Sequence, residues 1–226
     1  LPVPYTNAAT AARIPAHEAD RWVAETAELF REHRVPAIWW VGPLSEPKHL
    51  RAVLVRHGFV HDEEMPWLAA DLEVEDLDAP GPRGLVVEAV DGPARQAAWL
   101  EVMTAGFGMN EAERESMTRL AAAVGYGPEA RWRRFVGFLD GRPVGTSGVM
   151  LGGGVAGIYN VATIPGALRR GIGTAMTRVA MRAARDLGYR VAVLGSSQAG
   201  MSIYAALGFR DVCTLSLYRW PGPDGP

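Results

Sequence analysis

Cysteine is nearly missing from this chain: Cys213 is the only one in 226 residues. A lone thiol excludes an internal disulfide and any metal site built on several cysteines, and it fits a reducing, cytoplasmic location. The five histidines are scattered without metal-ligand spacing, so no metal is expected. No apolar run reaches membrane-spanning length, and no membrane partner is expected. Neither sign of charge dominates, with 23 Lys and Arg against 25 Asp and Glu and a net charge of −2. That balance excludes a global attraction to nucleic acid, so any polyanion site must be local. No charged segment followed by an apolar one opens the chain at Leu1, and no secretory signal is expected.

What is present is the composition of an ordinary globular protein, 48% hydrophobic and 21% charged, enough for one large domain or two small ones. The stretch "DLDAPGPRG", Asp76 to Gly84, reads as a linker. Downstream, "GLVVEAV" predicts a strand, "PARQAAWLEVMTAGF" and "EAERESMTRLAAAV" two helices, and residues 131–163 a three-stranded meander turning at "DGRP" and "GGG". A helix from Ile172, the strand "RVAVLGSS", the helix "AGMSIYAALG" and the strand "VCTLSLYRW" complete an α/β pattern around a mixed, mostly antiparallel sheet flanked by helices. Upstream, helix, strand, helix, Gly58-Phe59 and strand recur in the order that ends at Gly208-Phe209. The expected organisation is a degenerate partial repeat over 1–80, a catalytic domain over 81–220 and a flexible tail over 221–226, with the fraying of "WPGPDGP" setting in from Trp220.

The chemistry concentrates where "ALRRGIGTAMTRVAMRAARD" opens a helix. Its apolar positions are Ile172, Ala175, Met176, Val179, Ala180, Ala183 and Leu187, one face of an α-helix that packs on a sheet. Gly171 and Gly173 let backbone N–H groups from Arg169 to Thr174 approach a ligand closely. Free N–H groups and the helix dipole favour an anion, to which Arg169 and Arg170 add charge. A P-loop would need G-x-x-x-x-G-K-[ST], which is not in the chain, and a dinucleotide fold would want a glycine where Met176 stands.

The order "IYNVATIPGALRRGIGTAM", strand, "AGMSIYAALGFRD" resembles the GNAT superfamily of acyl-CoA-dependent N-acetyltransferases, over about Leu85 to Trp220. The family pattern [QR]-x-x-G-x-[GA] is met at Gly171, Ile172 and Gly173, with Leu168 at the leading position. The tail motif is met by Tyr204, Leu207, Gly208 and Phe209, and Ser197 stands where the family often has Asn. In the upstream half Leu54 occupies the place of Tyr204 with no glycine loop before it, which implies one active site.

The resemblance implies acetyl-CoA as co-substrate and direct attack by an amine, with no acyl-enzyme. The strand carrying Asn160, Val161, Ala162 and Thr163 would diverge from the one around Val191 to Gly195 and leave a backbone edge for the pantetheine arm. The N–H of Val161 would hold the developing oxyanion, and Tyr204 would protonate the departing thiolate. Arg169, Arg170, Gly171, Ile172, Gly173, Thr174 and Ser197 would bind the co-substrate, while Tyr159, Asn160 and Glu111 would face the acceptor. The general base stays open among Glu111, Glu113, Glu115, His61, Asp62, Glu63 and Glu64. Acidic "HDEEM" and "DLEVEDLD" suit a small cationic primary amine. Two other readings stand beside it: a protein or peptide N-acetyltransferase, and a non-catalytic acyl-CoA-binding regulatory module. Both a monomer and a homodimer are compatible with the family.

Overall fold

The computed structural model describes residues 1, 3–73, 76–127 and 129–222. In chain order its elements are β1 (Ala8–Ala9), α1 (Ala19–Glu32), β2 (Ala37–Val41), α2 (Leu50–Arg56), β3 (Val60–Asp71), β4 (Val86–Ala89) and α3 (Pro93–Phe107). There follow α4 (Glu111–Val124), β5 (Trp132–Leu139), β6 (Arg142–Gly152), β7 (Val155–Thr163), α5 (Ile172–Asp186), β8 (Val191–Gly195), α6 (Met201–Ala205) and β9 (Arg210–Trp220). The architecture is mixed α/β, with mostly antiparallel sheet flanked by helices. Val74, Glu75 and residues 223–226 lie outside the described residues, which takes in part of the acidic run and most of the expected tail.

Contacts divide the chain into two compact units, Leu68–Asp211 and Leu1–Trp67 with the chain from Val212 onward. The sequence puts its divide at the proline-rich stretch 76–84; the contacts put theirs within β3 and β9.

In the smaller unit β1 pairs parallel with β2, and β2 pairs antiparallel with β9, Ala37 facing Trp220 and Val41 facing Ser216. The alternation of β9 turns Tyr218 and Trp220 to one face, where they join Val23, Phe30, Trp39, Leu50, Leu54 and Phe59 in the core. Trp220 is therefore not the start of a frayed end. Its indole stacks 5.4 Å from Phe59, and the apolar area it removes from water outweighs the proline and glycine that follow.

In the larger unit β4, β5, β6 and β7 form an antiparallel run, and β8 joins β7 in parallel. The β5–β6 turn has Asp140 and Gly141 both at positive φ, as a tight two-residue hairpin requires. Helices α3 and α4 pack through Trp99, Leu100, Met103 and Ala121 against Trp132 and Val136 of β5. Helix α5 takes the other face. It lies very close to the strands because Gly137 and Gly145 have no side chain: a Cβ at Gly145 would fall 2.6 Å from Ile172 Cγ2, and one at Gly137 2.8 Å from Met176 Sδ. The buried stripe of α5 is Ile172, Ala175, Met176, Thr177, Ala180, Met181 and Ala184. Leu187, expected inside, is 39% exposed, because the stripe turns toward Met181 and Ala184 in the second half of the helix. Thr177 is tolerated inside because its hydroxyl donates to Gly173 O at 2.9 Å.

Candidate active site

Strand β7 is irregular at its C-terminal end. It pairs with β8 only at Ala156–Ala192 and Gly157–Val193, and beyond Gly157 the two strands part. On the other side its register with β6 slips between Thr146 and Gly148, so Asn160 and Val161 have no Cα partner in the ladder. Asn160 sits at φ 55°, a left-handed conformation that asparagine accepts more readily than most residues. Thr146, fully buried on β6, donates its hydroxyl to Asn160 O at 2.9 Å and holds the bulge in place. Thr146 belongs to no motif legible in the sequence; an asparagine inside a β-rich run is the one local signal of the bulge it holds.

After β7 the chain makes a short 3-10 turn, Pro165–Ala167, and then two left-handed residues, Arg169 at φ 57° and Gly171 at φ 74°, flank Arg170. Such a curl turns successive N–H groups toward one side, an arrangement that suits an anion. Gly171 is the N-cap of α5 and has no side chain to cap it, and the first main-chain bond of the helix is Ala175 N to Gly171 O, 3.0 Å. The N–H groups of Ile172, Gly173 and Thr174 are thus available to a ligand. Arg169, Arg170 and Leu168 are all exposed.

Three segments meet at Gly173. A Cβ placed there would lie 3.8 Å from Thr163 Oγ1, at the end of β7, and 3.9 Å from Ile203 Cδ1 on α6. The neighbour of Ile203 is Tyr204, half-buried with its ring edge-on to Phe209 at 5.8 Å. Burial pushes the Tyr204 phenol above its ordinary value of 10, so it holds its proton at neutral pH. No hydrogen bond is made by its hydroxyl among the described residues. Gly200 gives the ring its place, since a Cβ there would sit 2.7 Å from Tyr204 Cε2 and 3.3 Å from Ser196 Oγ. Ser196 is buried and donates to Ser197 O, whereas the Ser197 side chain is exposed. Tyr159 folds back over Gly157, where a Cβ would meet its ring at 2.4 Å. Burial raises the Tyr159 phenol as well.

The candidate bases other than Glu63 are engaged in pairs of their own. Glu111 pairs with Arg114, whose hydrogen bonds hold its carboxyl below the usual range. Glu113 closes a capping box with Asn110 at the start of α4, and Glu115 pairs with Arg119. In the smaller unit Asp62 pairs with Arg219 and His61 with Glu64. Burial opposes the charge of Glu64, but hydrogen bonds from Ser216 and His61 and the charge of Arg51 outweigh it. Within the larger unit, no contact among the described residues brings Glu111, Glu113 or Glu115 to Gly173. The described residues hold no cluster suited to a metal, and no helix among them is long and apolar enough to cross a membrane.

Residues 98–209 match the family model described as the acetyltransferase (GNAT) family. A mycothiol acetyltransferase of Streptomyces avermitilis is 29% identical, over 93% of this chain and 71% of its own. The solved structure of a GCN5-related N-acetyltransferase from Kribbella flavida superposes with a TM-score of 0.77 at 21% identity, covering 98% of this chain and 84% of its own. A tandem GNAT protein from the clavulanic acid biosynthesis pathway gives 0.65 at 16% identity, with 92% and 71% covered. At these identities the two structures speak to fold alone.

Proposed function

The chain belongs to the GNAT superfamily, is an acetyltransferase and takes acetyl-CoA as co-substrate, and from that premise we propose that it acetylates a primary amine of a small molecule by direct attack. Acetyl-CoA supplies an activated acetyl group as a thioester. The observation that carries the reading is the convergence on Gly173 of the end of β7 at Thr163, the uncapped first turn of α5 and the helix bearing Tyr204. In it the N–H groups of Ile172, Gly173 and Thr174 bind the diphosphate, with Arg169 and Arg170 adding charge. The parted edge of β7 takes the pantetheine arm, and the N–H of Val161 polarises the thioester carbonyl and holds the oxyanion. Tyr204, protonated throughout the neutral range, gives its proton to the departing thiolate. Tyr159 and Asn160 border the acceptor side. Glu111, held as a carboxylate by Arg114, is kept only as an acceptor contact; water takes the amine proton.

The name of the Streptomyces avermitilis relative supports a small molecule over a protein as acceptor. The acidic cluster of β3 gives little support for a positive charge on that molecule, since Asp62 and Glu64 are already paired. Thiol release from acetyl-CoA across a panel of neutral and cationic small amines, with a peptide amine beside them, tests the proposal. Release with a small amine and not with the peptide is expected. Binding of coenzyme A with no release from any amine would instead identify a regulatory module.

A further inference from the structure

The proline-rich stretch read as a linker is fastened along α5. Leu77 is buried among Ala180, Met181 and Ala184. Asp78 accepts from Arg185 at 3.1 Å and lies 3.6 Å from Arg182, and Arg178 donates to Ala79 O at 3.5 Å. A Cβ on Gly81 would be 3.4 Å from Ala175 Cβ, and Pro82 Cγ stands 3.6 Å from the position a Cβ of Gly171 would take. The contacts step through 185, 182, 178, 175 and 171, so this strap climbs the helix from its last turn to its N-cap. Arg83 comes next, one Cα–Cα step of about 3.8 Å past the proline that touches the phosphate-binding turn.

Charge along α5 is balanced unevenly. At its C-terminal end Asp78 compensates Arg182 and Arg185. At its N-terminal end Arg83, Arg169 and Arg170 are exposed, and none has an ion pair or hydrogen bond among the described residues. Cationic residues carried by the chain beside the positive end of a helix dipole are unfavourable there until an anion arrives.

We infer that Arg83 is a phosphate ligand of coenzyme A, delivered to the mouth of α5 by the strap. The inference rests on the proposed acetyl-CoA site. Coenzyme A offers a diphosphate and a 3′-phosphate, and dephospho-coenzyme A lacks the second. Calorimetric titration of both into wild type, Arg83→Gln, Arg83→Lys and Arg119→Gln separates the cases. Arg83→Gln should weaken coenzyme A about five- to tenfold with the melting temperature of the free protein unchanged, Arg83→Lys should recover most of that loss, and Arg119→Gln should match wild type. A loss for coenzyme A alone places Arg83 on the 3′-phosphate; an equal loss for both ligands places it on the diphosphate. Wild-type affinity of Arg83→Gln for both, or a loss that Arg119→Gln reproduces, would overturn the inference while leaving the acetyl-CoA site standing. No binding by wild type would overturn both.

Discussion

Tyr204 packs edge-on to Phe209 while its hydroxyl makes no hydrogen bond among the described residues, so phenylalanine at this position removes one proton and little else. If that proton goes to the leaving thiolate, Tyr204→Phe lowers single-turnover acetyl transfer by about 10²–10⁴-fold and leaves coenzyme A affinity within a few-fold. Its unfolding free energy should stay within about 0.5 kcal/mol of wild type. Wild-type single-turnover rates would assign protonation to water. The pH dependence follows from the direction of the shift. The phenol is raised above 10 by burial, so both its donor role and its contribution to stability are complete below 10. They are lost only as pH rises through the higher folded value, and an alkaline fall in rate below 10 belongs to another group. A second change, Gly173→Asp, puts a carboxylate at the turn proposed to take the diphosphate. The nearest atoms to its Cβ are at 3.8 and 3.9 Å, so the fold has room for it. Calorimetry should show coenzyme A binding reduced at least about a hundredfold, with an unchanged circular dichroism spectrum.

At the scale of elements the β7 bulge and the α4 terminus are each held by one buried polar side chain. Thr146→Val leaves Asn160 O without its hydroxyl donor and should cost about 1 kcal/mol in urea unfolding, with turnover falling more than coenzyme A affinity. Arg134, 2% exposed on β5, donates to Ala121 O and Gly125 O at the end of α4 and to Gln96 Oε1 on α3, and its guanidinium lies 4.8 Å from the Trp132 ring. Arg134→Ala strands three acceptors and opens a cavity, so a loss of about 3 kcal/mol is expected in the same measurement. These two locks also mark what sequence could not disclose. Gly171, Gly173, the alternation of β5 to β7 and the Tyr204 motif are local patterns, and each was legible. The partners of Thr146 and Arg134 lie 14 and up to 38 residues away, and Pro82 meets Gly171 across 89 positions. A proline-glycine cluster reads as a linker until its contacts are known, and Leu77 and Asp78 are what turn this one into a strap.

At the scale of the whole molecule the smaller unit is assembled from two distant stretches of chain. Tyr218 and Trp220 belong to its core and β2 is their sheet neighbour, so β9 depends on residues far upstream of it. A fragment beginning at residue 68 keeps β9 without β2, Trp39, Leu54 and Phe59. It should be recovered insoluble, or soluble with exposed tryptophan fluorescence and a depressed melting temperature. Trp220→Ala in the full chain should cost about 3–5 kcal/mol by the same loss of packing. Acceptor use is better probed by point changes than by truncation at residue 80.

The split of that unit also sets an order of events during synthesis. Strands β2 and β3 leave the ribosome with an unpaired edge each, because β9, which lies between them in the sheet, is made only after all of Leu68–Asp211. At about 5–20 residues per second the wait is roughly 7–30 seconds. Through that interval the apolar run Ala37–Val41, with both its tryptophans, is open to chaperones and to the same strand on a neighbouring nascent chain, and the larger unit has every residue it needs to fold before the smaller one does.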